Sequence, residues 1–415
     1  MTRRVRSISP HETTVFDLGG LTPLVGAIDD PANGMYLGED LMGRPFTFDP
    51  FELYRRGTIT SPNQLIVGQI GRGKSALVKA MVIRHLALGR RAFIVDPKGE
   101  YTALGAALGG LVIKLTPGGD QCVNPMSSHG HRSRDKQRSS HLSLLETIAA
   151  TTMGRSLKPI ERLALEAALD GARREERQPS LRSVVGRLLA PTDQVFASLQ
   201  IDDRSVINES RDVALELRRL IDGDLRGMVD GQEHLDLDEQ PLVIVDLSAL
   251  YSSAGLSVVM VCVMAWMQQV LSDRQGHASQ ALLVIDEAWA LLRDVNAARW
   301  LQSAWKLSRA WGISNLAVLH RISDLSAVGN EGSEQRALAT SLLLETEVRT
   351  IFAQNASELE QLTRRLQVTE IQRDLLVRLP RGTALWQVGA TTQVVHHRVG
   401  RFEWAMIDTD QMLAP

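Results

Sequence analysis

The sequence predicts an α/β fold, with a mainly parallel central sheet and an all-helical insertion. Apolar runs typical of strands alternate with helical patterns over most of the 415 residues, as in parallel sheets joined by crossover helices. Residues 127–231 interrupt this alternation, because they contain helical patterns but no strand-like run. The hydrophobic content of 44% and the charged content of 23% are those of an ordinary globular protein.

The strands of the sheet are predicted from short apolar runs bounded by turn residues. Seven such runs are Gln64–Gly68, Ala92–Asp96, Leu111–Leu115, Leu242–Leu247, Leu282–Asp286, Asn315–Leu319 and Val348–Phe352. Two more, Ala384–Val388 and Gln393–Val399, flank Gly389-Ala390-Thr391 and predict a terminal hairpin. Near the start of the chain, Pro45–Phe51 predicts a short strand followed by a turn.

The insertion is predicted to consist of amphipathic helices separated by Gly and Pro. These helices lie around His141–Met153, Pro159–Arg174, Leu181–Leu189 and Val213–Leu220. The expected organisation is a small N-terminal edge segment (1–60), a sheet domain in two parts (61–126 and 232–405), the all-α insertion (127–231) and a C-terminal tail (406–415).

A glycine-rich stretch, GQIGRGKS, follows the first predicted strand and precedes a helical pattern. It fits the phosphate-binding pattern G-x-x-x-x-G-K-[ST] in full. Glycines let the backbone curl so that its N–H groups face an anion, Lys74 carries charge to the β- and γ-phosphates, and the Ser75 hydroxyl can ligate Mg²⁺. The predicted nucleotide-binding residues are Gly68, Gln69, Ile70, Gly71, Arg72, Gly73, Lys74, Ser75 and Ala76.

An acidic pair, Asp286-Glu287, ends the apolar run that begins at Ala281. An enzyme with a phosphate-binding loop needs an acidic residue at a strand end to hold Mg²⁺ through water, and a base to align the attacking water. Asp286 is predicted to take the first role and Glu287 the second. The alternative is an acidic cap on a following helix. We favour the functional interpretation, because the chain also contains a complete phosphate-binding loop. The pair favours hydrolysis over transfer to a metabolite.

A second group of charges, Asp96, Lys98 and Glu100, follows another predicted strand. Ligands of parallel sheets bind at the carboxyl ends of the strands, which is where these residues are expected. Asp96 and Glu100 are therefore candidate nucleotide-binding residues. A turn at Pro97-Gly99 with solvated charges explains the same pattern equally well.

Bulk properties exclude several classes of protein. The net charge of −2 gives no global sign of nucleic-acid binding. Two cysteines, Cys122 and Cys262, provide neither a disulfide framework nor a metal spacing. The most apolar run, Leu256–Met267, is too short for a membrane span and predicts a buried helix. A soluble cytoplasmic protein without an integral membrane segment is expected.

Several motifs occur in an order that resembles the traffic ATPases of conjugation and type IV secretion, of the VirB/TraC type within the HerA–FtsK superfamily. They are FTFDPFELYRRGTITSPNQLIVGQIGRGKS, FIVDPKGEYTALGAALGG, VNPM, VIVDLSAL, LLVIDEAWALL, LLLETEVRTIFAQNASELEQL and LPRGTALWQVG. The resemblance covers residues 31–402. It implies a RecA-like P-loop NTPase domain that uses ATP and Mg²⁺, in a homo-oligomeric ring that is usually a hexamer. It also implies a membrane complex for secretion or conjugation as partner, and leaves open a peripheral position at the inner face of the cell membrane.

The resemblance also assigns two further catalytic residues. An arginine from a neighbouring subunit reaches the γ-phosphate in this family, and the matching position is Arg309, with Arg321 and Arg349 as rivals. The strand after the Asp-Glu motif usually ends in a glutamine that senses the γ-phosphate. This chain has His320 there, so the coupling of hydrolysis to motion is expected to differ.

Two other functions remain open on the sequence. A DNA translocase of the HerA/FtsK or coupling-protein type is the first, and the basic stretch His131–Arg138 keeps DNA as a candidate partner. The second is an assembly scaffold that binds ATP with little turnover, which the histidine at position 320 motivates.

Overall fold

The structure of the protein is a computed structural model. It describes residues 34–127, 134–176, 178–190, 203–230, 237, 240–272, 280–321, 333–366 and 368–407.

Eleven strands of the described chain form one central sheet. In chain order they are β1 Met35–Asp40, β2 Pro45–Phe48, β3 Gln64–Val67, β4 Arg91–Asp96, β5 Leu111–Lys114, β6 Leu242–Asp246, β7 Ala281–Ile285, β8 Ile313–Leu319, β9 Val348–Phe352, β10 Thr383–Val388 and β11 Thr391–His397. Their order across the sheet is β2-β1-β11-β10-β9-β3-β8-β7-β4-β6-β5. The seven strands from β9 to β5 are parallel, and the remaining four extend the sheet antiparallel from β9.

The helices connect these strands and cover both faces. They are α1 Pro50–Arg55, α2 Lys74–Ala87, α3 Thr102–Leu108, α4 Arg134–Met153, α5 Pro159–Glu175, α6 Leu181–Leu189, α7 Asp203–Asp222, α8 Leu256–Ser272, α9 Trp289–Leu292, α10 Val295–Leu307, α11 Glu334–Leu344, α12 Ala356–Leu366, α13 Glu370–Arg378 and α14 Arg401–Ile407. Helices α4 to α7 all lie between β5 and β6, which confirms the predicted fold class with its all-helical insertion. Among the helices in the described ranges, none combines the length and apolarity that a membrane crossing requires.

Successive side chains of the buried strands enter two different cores, as the pleat of a sheet requires. In β3, Ile66 packs with Leu77 and Val78 of α2 on one face. Leu65 belongs to the core of the other face, which also contains α8 and the insertion residue Leu144. Because the insertion shares this core with the sheet, its helices are anchored on the same body that carries the strand ends.

One strand was not predicted from the sequence. Strand β1 pairs antiparallel with β11 and with β2, and its register with β2 shifts between Tyr36 and Gly38. A β-carbon at Gly38 would lie 2.2 Å from the carbonyl oxygen of His396, so the neighbouring backbone approaches too closely for any other residue. The irregularity breaks the apolar alternation by which strands are recognised.

A buried histidine locks the end of the loop-bearing helix α2 to the N-terminal edge of the sheet. His85 is fully buried, and its Nδ1 lies 3.2 Å from Nη1 of Arg90, which also binds Asp49 at 2.6 Å. The guanidinium always donates, so Nδ1 accepts and the imidazole is neutral. Burial, together with the charge of Arg90, lowers the pKa of His85 to about 3.

This histidine makes the fold acid-sensitive. The unfolded chain binds a proton on the imidazole below its ordinary pKa of 6.5, whereas the folded chain does not until about pH 3. The free energy of unfolding should therefore fall as the pH decreases through that window, by about 1.4 kcal/mol per pH unit from this group. Urea denaturation at pH 7 and pH 5 measures the change. The His85→Leu variant should show a smaller change than the wild type, and an identical change would contradict the assignment.

Candidate active site

The glycine-rich loop lies where β3 passes into α2. Gly71 and Gly73 have φ values of 77° and 106°, in the left-handed region that glycine tolerates, and the helix begins at Lys74. No side chain of the described residues caps the first turn of α2. Its N–H groups, which helix geometry leaves without helical partners, therefore remain available to an anion. Ser75 and Ala76 lie in this first turn.

Lys74 lies against its own loop. It is only 4% exposed, and its Nζ donates to the carbonyl oxygens of Gly68 at 2.6 Å and Gln69 at 2.9 Å. Burial lowers the pKa of Lys74 to about 8, although the charge of Asp286 opposes the shift. A buried ammonium with neutral partners would gain from a polyphosphate, so this observation fits a nucleotide.

The loop is supported from the side of β9. The Gln69 amide donates to the carbonyl oxygen of Ala353 at 3.3 Å, and the Arg72 carbonyl accepts from the Gly382 amide at 2.9 Å. Ile70, at the tip of the loop, is 77% exposed. The loop is thus held at both ends while its tip faces solvent.

Gly68 is required for this support, and a variant tests it. A β-carbon at position 68 would lie 2.4 Å from Cβ of Phe352, which the buried strand β9 holds in place. Gly68→Ala should therefore lower the free energy of unfolding by about 1–3 kcal/mol. The matched control is Gly186→Ala on α6, where the added carbon meets no atom within 4 Å and should stabilise by about 0.5–1 kcal/mol. Equal effects in thermal or urea unfolding would refute the close approach.

Asp286 and Glu287 follow β7, the strand that lies second from β3 across the sheet. Both side chains are buried. Burial, together with the charge of Glu287, raises the pKa of Asp286 to about 7. A buried carboxylate that is costly to ionise gains from a divalent cation, so Asp286 fits a Mg²⁺ ligand with the Ser75 hydroxyl.

Glu287 has the unusual backbone φ of 52° and a carboxylate surrounded by donors. Its Oε1 contacts Nζ of Lys98 and lies 2.5 Å from Nε2 of His320, while its Oε2 accepts from Nε1 of Trp289. Burial opposes ionisation, but these hydrogen bonds hold the pKa of Glu287 at about 2. Glu287 is therefore an ionised carboxylate that is already fully engaged.

The stretch after β4 turns sharply around Asp96. Its Oδ1 accepts from the amides of Lys98, Gly99 and Glu100 at 2.8–3.2 Å, and its Oδ2 accepts from that of Tyr101 at 2.8 Å. Asp96 therefore shapes the turn that presents Lys98. The charge of Glu100 acts on both Lys74 and Asp286, which places it at the same edge of the sheet.

The candidate arginines lie in different surroundings. Arg309 is exposed on the turn Ser308–Trp311, before β8, whereas His320 follows the end of that strand. A strand of this length spans ~20 Å, so Arg309 lies at the opposite edge of the sheet from its own loop. Arg349 donates to the carbonyl oxygens of Leu343 and Leu344 at 3.2 and 3.4 Å.

Two other sequence expectations have partial outcomes. Residues 131–133 of the basic stretch lie outside the described residues, and Arg138 binds Asp170 at 2.6 Å and Glu166 at 2.7 Å on α5. Cys262 is buried within the core, as expected.

Two residues that contact Glu287, Lys98 and Trp289, were not among the site residues predicted from the sequence. Lys98 follows β4, the immediate neighbour of β7 in the sheet, and Trp289 lies two residues after Glu287. The signal available for Lys98 was its position at the carboxyl end of a parallel strand.

Comparisons with known proteins identify the family and the fold. The family model described as the TraG P-loop domain matches residues 34–330. The VirB4 structure of Thermoanaerobacter pseudethanolicus superposes with a TM-score of 0.73 at 23% identity, covering 91% of this chain and 100% of that chain. The bacterial plasmid coupling protein TrwB, in complex with ADP and Mg²⁺, superposes with a TM-score of 0.59 at 16% identity, covering 89% and 91%.

No curated protein matches the sequence. The structural likenesses establish a RecA-like P-loop fold, and the family match spans most of the chain, including the loop and the Asp-Glu pair. The protein therefore belongs to the TraG P-loop domain family and shares the fold of the VirB4 and TrwB structures, in agreement with the P-loop resemblance of its sequence.

Proposed function

We propose that this protein is an ATP-hydrolysing motor of a conjugation or type IV secretion system, which powers assembly of the apparatus or transfer of DNA or protein. The observation that carries the proposal is the arrangement at the strand ends. A buried Lys74 lies on the Gly68–Ser75 loop, and its charge interacts with those of Asp286 and Glu287. The glycine-rich loop and the Asp286-Glu287 pair therefore lie at the same edge of the sheet, where the parallel strands end.

The loop is assigned to the phosphates. The N–H groups of the loop and of the first turn of α2 would bind phosphate oxygens, and Lys74 would exchange its two carbonyl partners for the β- and γ-phosphates. Ser75 and Asp286 would hold Mg²⁺, the latter through water. When bound, the cation neutralises developing charge on the phosphates.

Glu287 is assigned as the base. It would orient the attacking water and accept its proton, which favours hydrolysis because water is then the nucleophile. His320 stands where the family has a glutamine amide, and it would donate its hydrogen bond from Nε2 to Glu287, which orients the base. Asp96 would contribute through the turn that it organises, and Glu100 through its charge near Lys74.

The motor is proposed to work as a homo-oligomeric ring, with a hexamer as the expected size. An exposed Arg309 at the far edge of the sheet is available to a neighbouring subunit, where a guanidinium would stabilise the transition state. Partners of the ring would be a membrane complex for secretion or conjugation. The expected location is the cytoplasm at the inner face of the cell membrane.

A DNA translocase is the second candidate, because TrwB, a coupling protein of bacterial conjugation, shares the fold. An ATP-holding scaffold is the third, because the carboxylate of Glu287 is bound by three donors in this structure. The proposals differ in turnover and in the response to DNA.

ATP turnover per subunit, measured against protein concentration with and without DNA, tests the proposal. The rate should rise with concentration, because a shared site forms only between subunits. Stimulation by single- or double-stranded DNA would favour the translocase. A rate near zero at every concentration would favour the scaffold and contradict the motor.

A further inference from the structure

The carboxylate of Glu287 is surrounded by three hydrogen-bond donors, which leave no room for the water that a general base must bind. Lys98 and His320 share its Oε1, and Trp289 holds its Oε2. A carboxylate saturated with donors, one of them an ammonium, is a poor proton acceptor, and it cannot take a new partner without losing one. The proposed base is therefore restrained in this arrangement.

The contact at His320 cannot satisfy both of its neighbours at once. Nε2 of His320 lies 2.9 Å from Nζ of Lys98 and 2.5 Å from Oε1 of Glu287. A protonated Nε2 can donate to Glu287 but then faces the donor Lys98, and an unprotonated Nε2 can accept from Lys98 but then faces a carboxylate oxygen. Nδ1 is buried without a hydrogen-bond partner in the described part of the chain, so nothing there fixes the tautomer.

Lys98 is placed to leave this contact. Its backbone is fixed, because the Lys98 amide donates a hydrogen bond to Asp96 at 3.2 Å. Its side chain is 22% exposed. The ammonium also lies near the loop. Burial is the main cause of the lowered pKa of Lys74, and the charge of Lys98 lowers that pKa further. Two ammonium groups therefore border the position assigned to the phosphates.

We infer that Lys98 is a positioning residue that responds to the terminal phosphate of the nucleotide. Without that phosphate, Lys98 holds Glu287 and competes with it for His320. The terminal phosphate of ATP draws the ammonium away, which leaves His320 to donate to Glu287 and frees the carboxylate for water. ADP lacks this phosphate and leaves the Lys98–Glu287 pair intact. The inference rests on the proposed ATP site and adds a residue that distinguishes ATP from ADP.

Dissociation constants of a non-hydrolysable ATP analogue and of ADP, each with Mg²⁺, test the inference on the full chain. Lys98→Met should weaken binding of the analogue by roughly tenfold and change ADP binding little, because the lost charge attracts only the terminal phosphate. Lys98→Arg should retain most of the preference. The matched control is Lys114→Met, an exposed lysine that ends β5 at the same edge of the sheet, and it should change neither constant.

A second comparison separates sensing from a structural role. Glu287→Gln removes the carboxylate that holds Lys98, so it should tighten binding of the analogue in the wild-type background and fail to do so beside Lys98→Met. Equal weakening of the analogue and ADP by Lys98→Met, or an unchanged effect of Glu287→Gln in the double variant, would overturn the inference. Lys98→Gln repeats the measurement if Lys98→Met does not fold. Absence of nucleotide binding in the wild type would instead defeat the proposed function.

Discussion

Glu287→Gln is expected to lower ATP turnover by roughly 10²- to 10⁴-fold, the usual contribution of a general base. The amide keeps the shape of the side chain and can still bind His320, but it cannot accept a proton from water. Nucleotide binding should survive, because Lys74 and the loop are unchanged. Steady-state turnover at saturating ATP and Mg²⁺, paired with binding of a non-hydrolysable analogue, measures both quantities.

The comparison needs a carboxylate outside the site. Glu370 lies in the first turn of α13 and is exposed, so Glu370→Gln should leave turnover unchanged. Turnover within a few-fold of wild type in Glu287→Gln would show that another group activates water. Loss of both turnover and binding would show that Glu287 supports the architecture of the site instead.

The parts of this molecule that depend on local sequence were predicted well. A few consecutive residues determine the glycine pattern of the loop, the apolar runs of the buried strands and the position of Asp286. The predicted run Leu282–Asp286 corresponds to β7, Ala281–Ile285, which ends one residue earlier. Such small shifts arise because an apolar run does not mark the last ladder hydrogen bond.

The order of the strands could not be predicted in this way. Strand β3 lies between β9 and β8, and β4 lies between β7 and β6, although these strands are far apart along the chain. The contact between Lys98 and Glu287 depends on that order, because it joins the ends of the adjacent strands β4 and β7. A turn with solvated charges and a site residue give the same sequence pattern at Lys98.

The histidine at position 320 has a clearer meaning in the structure than in the sequence. From the sequence alone, position 320 is only a histidine where the family usually has a glutamine. In the fold, Nε2 of His320 lies between the ammonium of Lys98 and the carboxylate of Glu287. At this contact the imidazole presents only Nε2, which either donates or accepts, whereas an amide offers separate donor and acceptor atoms. The substitution therefore makes Lys98 and Glu287 mutually exclusive hydrogen-bond partners of position 320.

Arg309→Ala is expected to lower turnover by roughly 10³- to 10⁵-fold, the effect of losing an arginine that stabilises phosphoryl transfer. Nucleotide binding to the isolated subunit should change little, because Arg309 lies at the far edge of the sheet from the loop. Arg373→Ala is the control, since Arg373 is exposed on α13 and has no role in the proposed mechanism. Turnover of both variants is measured at a protein concentration where the wild-type rate per subunit has reached its plateau.

Mixing two inactive variants decides whether the arginine acts between subunits. An Arg309→Ala subunit has an intact loop and Glu287, and a Glu287→Gln subunit still has its arginine. In a mixed ring, the first subunit can receive Arg309 from the second, so the mixture should regain turnover that neither variant shows alone. If the mixture stays inactive although the variants co-assemble, Arg309 serves its own subunit or another arginine is the finger. Arg321 would then be tested first, because it directly follows His320, whereas Arg349 is engaged with the end of α11.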